Sequence, residues 1–143
     1  MLNTRRAALV VVIVLVGGNA FVFFGFYLPR ASAPISDPVL VGAGDIADCA
    51  SSGDEATAKL LDDLSGTVYT LGDIAYESGA PSEFSECYEP TWGRNKARTW
   101  PSVGNHEYYT PEASGYFDYF GSAAGDPKKG YYSYDLGGWH VLS

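Results

Sequence analysis

Three stretches of this chain each run from apolar residues through a glycine into side chains that hold cations. Val39-Leu40-Val41-Gly42-Ala43-Gly44 leads to Asp45. Val68-Tyr69-Thr70-Leu71-Gly72 leads to Asp73, with Tyr76 three residues on. Trp100-Pro101-Ser102-Val103-Gly104 leads to Asn105, His106 and Glu107. A carboxylate at a strand end can bridge two cations, and a nearby phenol can reach one of them. Each glycine allows the backbone the sharp turn that exposes the next residue. In an open α/β sheet the carboxyl ends of strands are where ligands bind. Three such ends, each carrying oxygen or nitrogen donors, describe a metal site.

The elements that must position these residues are legible from periodicity. Residues 39–42 and 67–71 read as short inner strands. Between them, Ser52-Gly53-Asp54-Glu55 has the form of a capping box. The helix it opens is expected to run to about Leu64, with Ala56, Leu60, Leu61 and Leu64 as its apolar stripe. Strand, helix and strand in under 35 residues make a βαβ unit, so the two strands are expected to be parallel. The third strand, near residues 99–103, contains Pro101 and belongs near an edge. Pro81-Ser82-Glu83 opens a helix in which Phe84, Tyr88 and Trp92 share a face, read as core. A helical turn is expected around residues 116–120. Residues 131–136 and 139–142 flank Gly137-Gly138 as a hairpin. His140 is read as a strand residue and left out of the site.

Before all of this, residues 7–28 carry no charged side chain, and Arg5 and Arg6 precede them. A bilayer span needs about 20 apolar residues, and basic residues before it keep the N-terminus in the cytoplasm. Residues 1–33 are therefore expected to be one signal-anchor or signal-peptide helix. Ala31-Ser32-Ala33 offers a cleavage pattern, but Pro34 would follow the scissile bond. Either form exports residues 34–143, secreted or membrane-anchored. That part holds all 17 acidic residues against six basic ones, a net charge of −11, which argues against nucleic-acid binding through a basic face. Its two cysteines, Cys49 and Cys87, read as one disulfide. The bridge closes about 38 residues, on the order of 3–4 kcal/mol of loop entropy.

Taken in order, the three blocks resemble the opening motifs of the calcineurin-like metallophosphoesterase superfamily. The fold so implied is α/β, the N-terminal half of a β-sandwich flanked by helices. By that resemblance Asp73 bridges two metals, Asp45 binds one and Asn105 the other, while His106 assists the departing oxygen. The commoner family pattern has a histidine where this chain has Ala47. The branch that lacks it, similar to the purple acid phosphatases, supplies a tyrosine at the position of Tyr76. Phenolate binding suits Fe(III), paired with a divalent Zn, Mn or Fe. The implied activity is hydrolysis of phosphate monoesters, on a small molecule or a protein, by a metal-activated water. Glu107 is read as a group that could orient His106. The later histidine motifs of the family are absent, so the expectation is a fragment or truncated product, in which half of a two-layer core leaves an apolar sheet face open. The rivals are a phosphodiesterase or nucleotidase of the same superfamily, and a non-catalytic membrane-tethered remnant. A carbohydrate-binding module drawing on the 11 tyrosines and three tryptophans is weaker, because core and hairpin pairing use those rings.

Overall fold

The structure, a computed structural model, describes residues 37–143 together with the backbone of residues 8–16 and 19–27. Two compact units result, Met1–Ile35 and Ser36–Ser143. In the first, strands β1 (Ala8–Val16) and β2 (Asn19–Tyr27) pair antiparallel, with Val16 opposite Asn19. This corrects the expected single helix over residues 7–28. Valine, isoleucine and phenylalanine fit a pleated strand at least as well as a helix. Among the described residues no helix is long and apolar enough to cross a membrane. The cleavage pattern at residues 31–33 lies outside the described residues.

The second unit is mixed α/β. Strand β3 (Leu40–Ala43) leads through β4 (Ala47–Asp48) to helix α1 (Gly53–Asp62), then to β5 (Thr67–Thr70) and β6 (Ala75–Tyr76). Helix α2 (Pro81–Glu83) widens into a π-helical turn over Phe84–Tyr88. A 3-10 stretch, Trp92–Arg98, precedes β7 (Thr99–Trp100); helix α3 (Ser114–Phe120) and the hairpin β8 (Ser133–Leu136) and β9 (Trp139–Leu142) follow. Strands β3, β5 and β7 form one parallel sheet with β5 central. The βαβ expectation holds, and Pro101 falls just past the edge strand β7.

Beyond the sheet the first two site loops pair with each other. Strands β4 and β6 are parallel, Ala47 opposite Ala75 and Asp48 opposite Tyr76. Ile46 N–H donates to Asp73 O at 3.0 Å and Ala47 N–H to Ile74 O at 3.0 Å. Cys49 and Cys87 are disulfide-bonded, with Cα atoms 5.2 Å apart, so the segment after β4 is tied to the π-helical turn. The core beneath is built from Val68, Ile74, Phe84, Tyr88, Trp92 and Tyr116, all 2% exposed or less. The aromatic face expected at 84, 88 and 92 is therefore core.

Helix α1 departs from its expected face. Leu60 and Leu64 are exposed, while Asp54, Ala58 and Leu61 are buried. The buried stripe is the one that meets the Trp92–Arg98 stretch, where Arg94 reaches Glu55 at 2.8 Å and Asp62 at 3.0 Å. Ser52 makes no cap bond; Ser51 Oγ instead accepts from Gly53 N–H at 3.1 Å. At the far edge Trp100 stacks on Tyr134 at 4.3 Å, and the Tyr132 hydroxyl donates to Pro101 O at 2.6 Å. Leu40, Leu71, Trp100 and Leu142 still leave apolar surface open.

Burial raises the pKa of Tyr88, Tyr116 and Tyr119 above the ordinary phenol range and pushes Tyr132 up to about 12. The native state therefore holds these protons where the unfolded chain, titrating near pH 10, gives them up. Stability from this source is complete below about pH 10 and lost as pH rises through the folded values. Urea midpoints are expected to stay level up to about pH 10 and to drop by about pH 12. A midpoint that stays level across that window would refute the assignment.

Candidate metal centre

Asp45 and Asp73 occupy equivalent places, each past a parallel strand and each with positive φ, 53° and 49°. Aspartate is among the few non-glycine residues that adopt this conformation readily, and such backbone clusters at functional sites. The turn aims both carboxylates at the same side chain. The Tyr76 hydroxyl donates to Asp45 Oδ1 and lies 3.5 Å from Asp73 Oδ2. The hydrogen bond to Asp45 raises the phenol's pKa above its ordinary value, and desolvation and the charge of Asp73 add to it. Two carboxylates thus compete for one proton on a third oxygen.

The third strand end closes on the second. His106 N–H donates to Asp73 Oδ1 at 3.1 Å. A Cβ added at Gly104 would stand 2.1 Å from Asp73 N and 2.2 Å from its Oδ1, so only glycine lets the two loops approach this closely. The His106 ring packs against both Tyr76 and Tyr109, with centroids at 4.5 and 4.9 Å. Its Nδ1 is 2.6 Å from Glu77 O. A carbonyl only accepts, so Nδ1 carries the hydrogen and Nε2 is left for another partner. Asn105 is exposed beside it. Asp45, Asp73, Tyr76 and His106 are thus brought together by direct contact, and Asn105 by its place in the chain. His140 stands apart, its Nδ1 2.7 Å from Asp135 Oδ1 across the hairpin.

Glu107 has a different task from the one the sequence suggested. It is completely buried, and its hydrogen bonds go to backbone N–H groups, not to the His106 ring. Its Oε2 accepts from Asp73 N–H at 3.1 Å and Gly104 N–H at 2.7 Å; its Oε1 accepts from Ile74 N–H at 2.7 Å and Ala75 N–H at 3.2 Å. One carboxylate therefore splices the second and third strand ends. Sequence reasoning placed Glu83 at a helix start but gave it no part in the site. Its oxygens accept from the N–H groups of Glu77, Ser78 and Ala80 at 2.6, 3.1 and 2.7 Å. That holds the segment whose carbonyl orients His106. Its place two residues after Pro81, at a helix start, was the available signal.

The donor set fits cations. Two carboxylates and a phenol already in contact are hard oxygen ligands, and a cation between them would replace the shared proton. Asp45, Asp73, Tyr76 and Asn105 would hold it. Among the described residues no group of three or more His, Cys, Asp or Glu side chains is gathered for a metal; this cluster draws on Tyr and Asn instead. No protein-family model, curated protein or solved structure matches this chain.

Proposed function

We propose that this chain carries the metal-binding strand ends of an exported phosphoesterase that hydrolyses phosphate monoesters, of the purple-acid-phosphatase-like branch of the metallophosphoesterases. The observation that carries the reading is the Tyr76 hydroxyl set against both Asp45 and Asp73, with His106 seated on the same carboxylate. Asp45, Asp73, Tyr76 and Asn105 would hold Fe(III) together with a divalent Zn, Mn or Fe, and that pair would supply water activation and neutralise phosphate charge. The parallel sheet of β3, β5 and β7 is then one layer of the family's β-sandwich, and its open apolar surface is what a partner layer would cover. The Cys49–Cys87 bridge supports an oxidising compartment, and with it export.

The chain's own residues do the rest. With Nδ1–H held by Glu77 O, His106 gives the departing alkoxide a hydrogen bond or proton from Nε2 only in its doubly protonated form, in which both ring nitrogens carry hydrogen. Tyr76 and Tyr109 keep the imidazole from rotating. Glu107 and Glu83 hold the backbone on which these groups stand.

The full chain loaded with iron and zinc is expected to take up stoichiometric metal and show a visible tyrosine-to-iron charge-transfer band. It is expected to hydrolyse p-nitrophenyl phosphate. Tyr76→Phe abolishes the band and cuts hydrolysis at least 100-fold, about 2.7 kcal/mol of transition-state stabilisation. A chain that takes up no stoichiometric metal, or a band that survives Tyr76→Phe, sinks the reading.

A further inference from the structure

A cavity of about 530 Å³ lies beside the candidate metal centre, bounded by Asp45 and Tyr76 on one side and the start of α1 on the other. Its lining carries four acidic residues, Asp45, Asp48, Asp54 and Glu77, and among the described residues no lysine or arginine lines it. A cleft walled by one sign of charge concentrates ligands of the other sign. If the carboxylate of Asp45 is taken up by metal, Asp48, Asp54 and Glu77 still set the field in the remainder.

Asp54 marks the place where that field lacks an answer. It is 6% exposed, and its Oδ1 is buried with no hydrogen-bond partner. Tyr88 Oη and Asn95 Nδ2 share that lack, but neither lines this cavity. A buried carboxylate without a partner carries a desolvation cost that a cation or donor would offset. The α1 dipole favours negative charge in its first turn, yet provides Oδ1 with no donor. Across the cavity, Asp48 Oδ1 accepts from Ala50 N–H at 2.8 Å, so that carboxylate is already fixed in place. Trp92 and Thr57, joined by a hydrogen bond from the indole N–H to Oγ1 at 2.9 Å, also line the cavity.

We infer that this cavity seats the alcohol portion of the substrate, and that it selects a phosphomonoester whose alcohol carries an ammonium group over a polyanionic one such as a nucleotide. The inference rests on the phosphoesterase reading for the place of the phosphate, and on Asp54 and the acidic lining for the rest. An amino-alcohol phosphate puts its phosphate toward Asp45 and Tyr76 and its nitrogen toward Asp48 and Asp54. A nucleotide would bring further phosphates into a wall of carboxylates.

The test separates the two readings by starting without metal. The full chain is titrated with choline, and separately with glycerol 3-phosphate, while the Trp92 indole and Thr57 amide resonances are followed. Choline is expected to shift both signals and glycerol 3-phosphate neither. Asp54→Asn, and Asp48→Asn on the facing wall, are each expected to weaken choline binding at least tenfold. Asparagine keeps the shape at both sites and at Asp48 keeps an acceptor for Ala50, so either variant can report if the other fails to fold. With metal restored, the kcat/KM preference for phosphocholine over a nucleoside bisphosphate is expected to fall at least tenfold in the same variants. No choline shift, equal shifts from both probes, or unchanged binding in both variants overturns the pocket while leaving the phosphoesterase reading standing. Choline binding by a chain that hydrolyses no phosphomonoester overturns that reading, and with it the pocket's assignment to a substrate.

Discussion

Glu107→Ala is expected to unfold this chain or bring it to the edge of unfolding. The carboxylate is completely buried and accepts four backbone N–H groups, from Asp73, Ile74, Ala75 and Gly104. Alanine leaves all four donors without a partner, and the two on buried residues, Ile74 and Ala75, cost about 1–3 kcal/mol each as orphans. Those two alone come to about 2–6 kcal/mol, a large share of the 5–15 kcal/mol of an ordinary domain, and the half-buried donors of Asp73 and Gly104 add to it. Glu107→Gln is the sharper version. One oxygen of the amide replaces one carboxylate oxygen, but its NH2 group must then face two N–H donors. The loss is expected to be on the order of 2–3 kcal/mol. A urea melt of the full chain measures both. If either variant unfolds at the wild-type midpoint, the splice does not hold the strand ends. Metal uptake is expected to fall with stability, because the same bonds fix the left-handed turn of Asp73.

Much of this arrangement was legible in the sequence, and the reason is local. Strand, glycine and aspartate at residues 39–45 and 67–73 is a pattern in which each residue states its own conformation: apolar for the sheet, glycine for the turn, aspartate for the positive φ. The parallel pairing of β3 and β5 followed from the length of the connection. The hairpin of β8 and β9 followed from Gly137-Gly138. Phe84, Tyr88 and Trp92 fell inward as their spacing suggested.

What the sequence did not disclose depends on partners far along the chain. The buried face of α1 is set by the Trp92–Arg98 stretch, which leaves Ala56, Leu60 and Leu64 at the surface and buries Asp54 and Ala58 beside the expected Leu61. Glu107 looked like a companion of His106 because the two are adjacent. In space its oxygens face backbone 32 to 34 residues away. The orienter of His106 is a main-chain carbonyl, that of Glu77, and carbonyls leave no trace in a sequence. The uncharged run at residues 7–28 has the composition of both an apolar helix and a β-branched strand pair, and periodicity cannot arbitrate where no polar face exists.

Gly104→Ala is expected to abolish the site while sparing most of the fold. The added methyl would stand 2.1 Å from Asp73 N and 2.2 Å from Asp73 Oδ1. Neither atom can yield by a side-chain rotation. Asp73 N is backbone, and Oδ1 is tied to His106 N–H. Across the same contact a Cβ at Gly72 would meet Gly104 Cα at 2.8 Å, so the two loops already touch with no Cβ between them. The loops must therefore separate by about an ångström, which costs about 1–3 kcal/mol as overpacking. Displacement of that size is enough to lower a rate about 100-fold where reacting groups must be aligned. The variant is expected to fold, with α1 and the core around Phe84 and Tyr88 unchanged. It is expected to lose the Tyr76 charge-transfer band and to hydrolyse p-nitrophenyl phosphate at least 100-fold more slowly. Circular dichroism and the visible spectrum of one preparation decide the matter. A folded Gly104→Ala chain that keeps both band and rate would mean that the third strand end stands clear of the metal ligands, and the centre would then have to be built from Asp45, Asp73 and Tyr76 without Asn105 and His106.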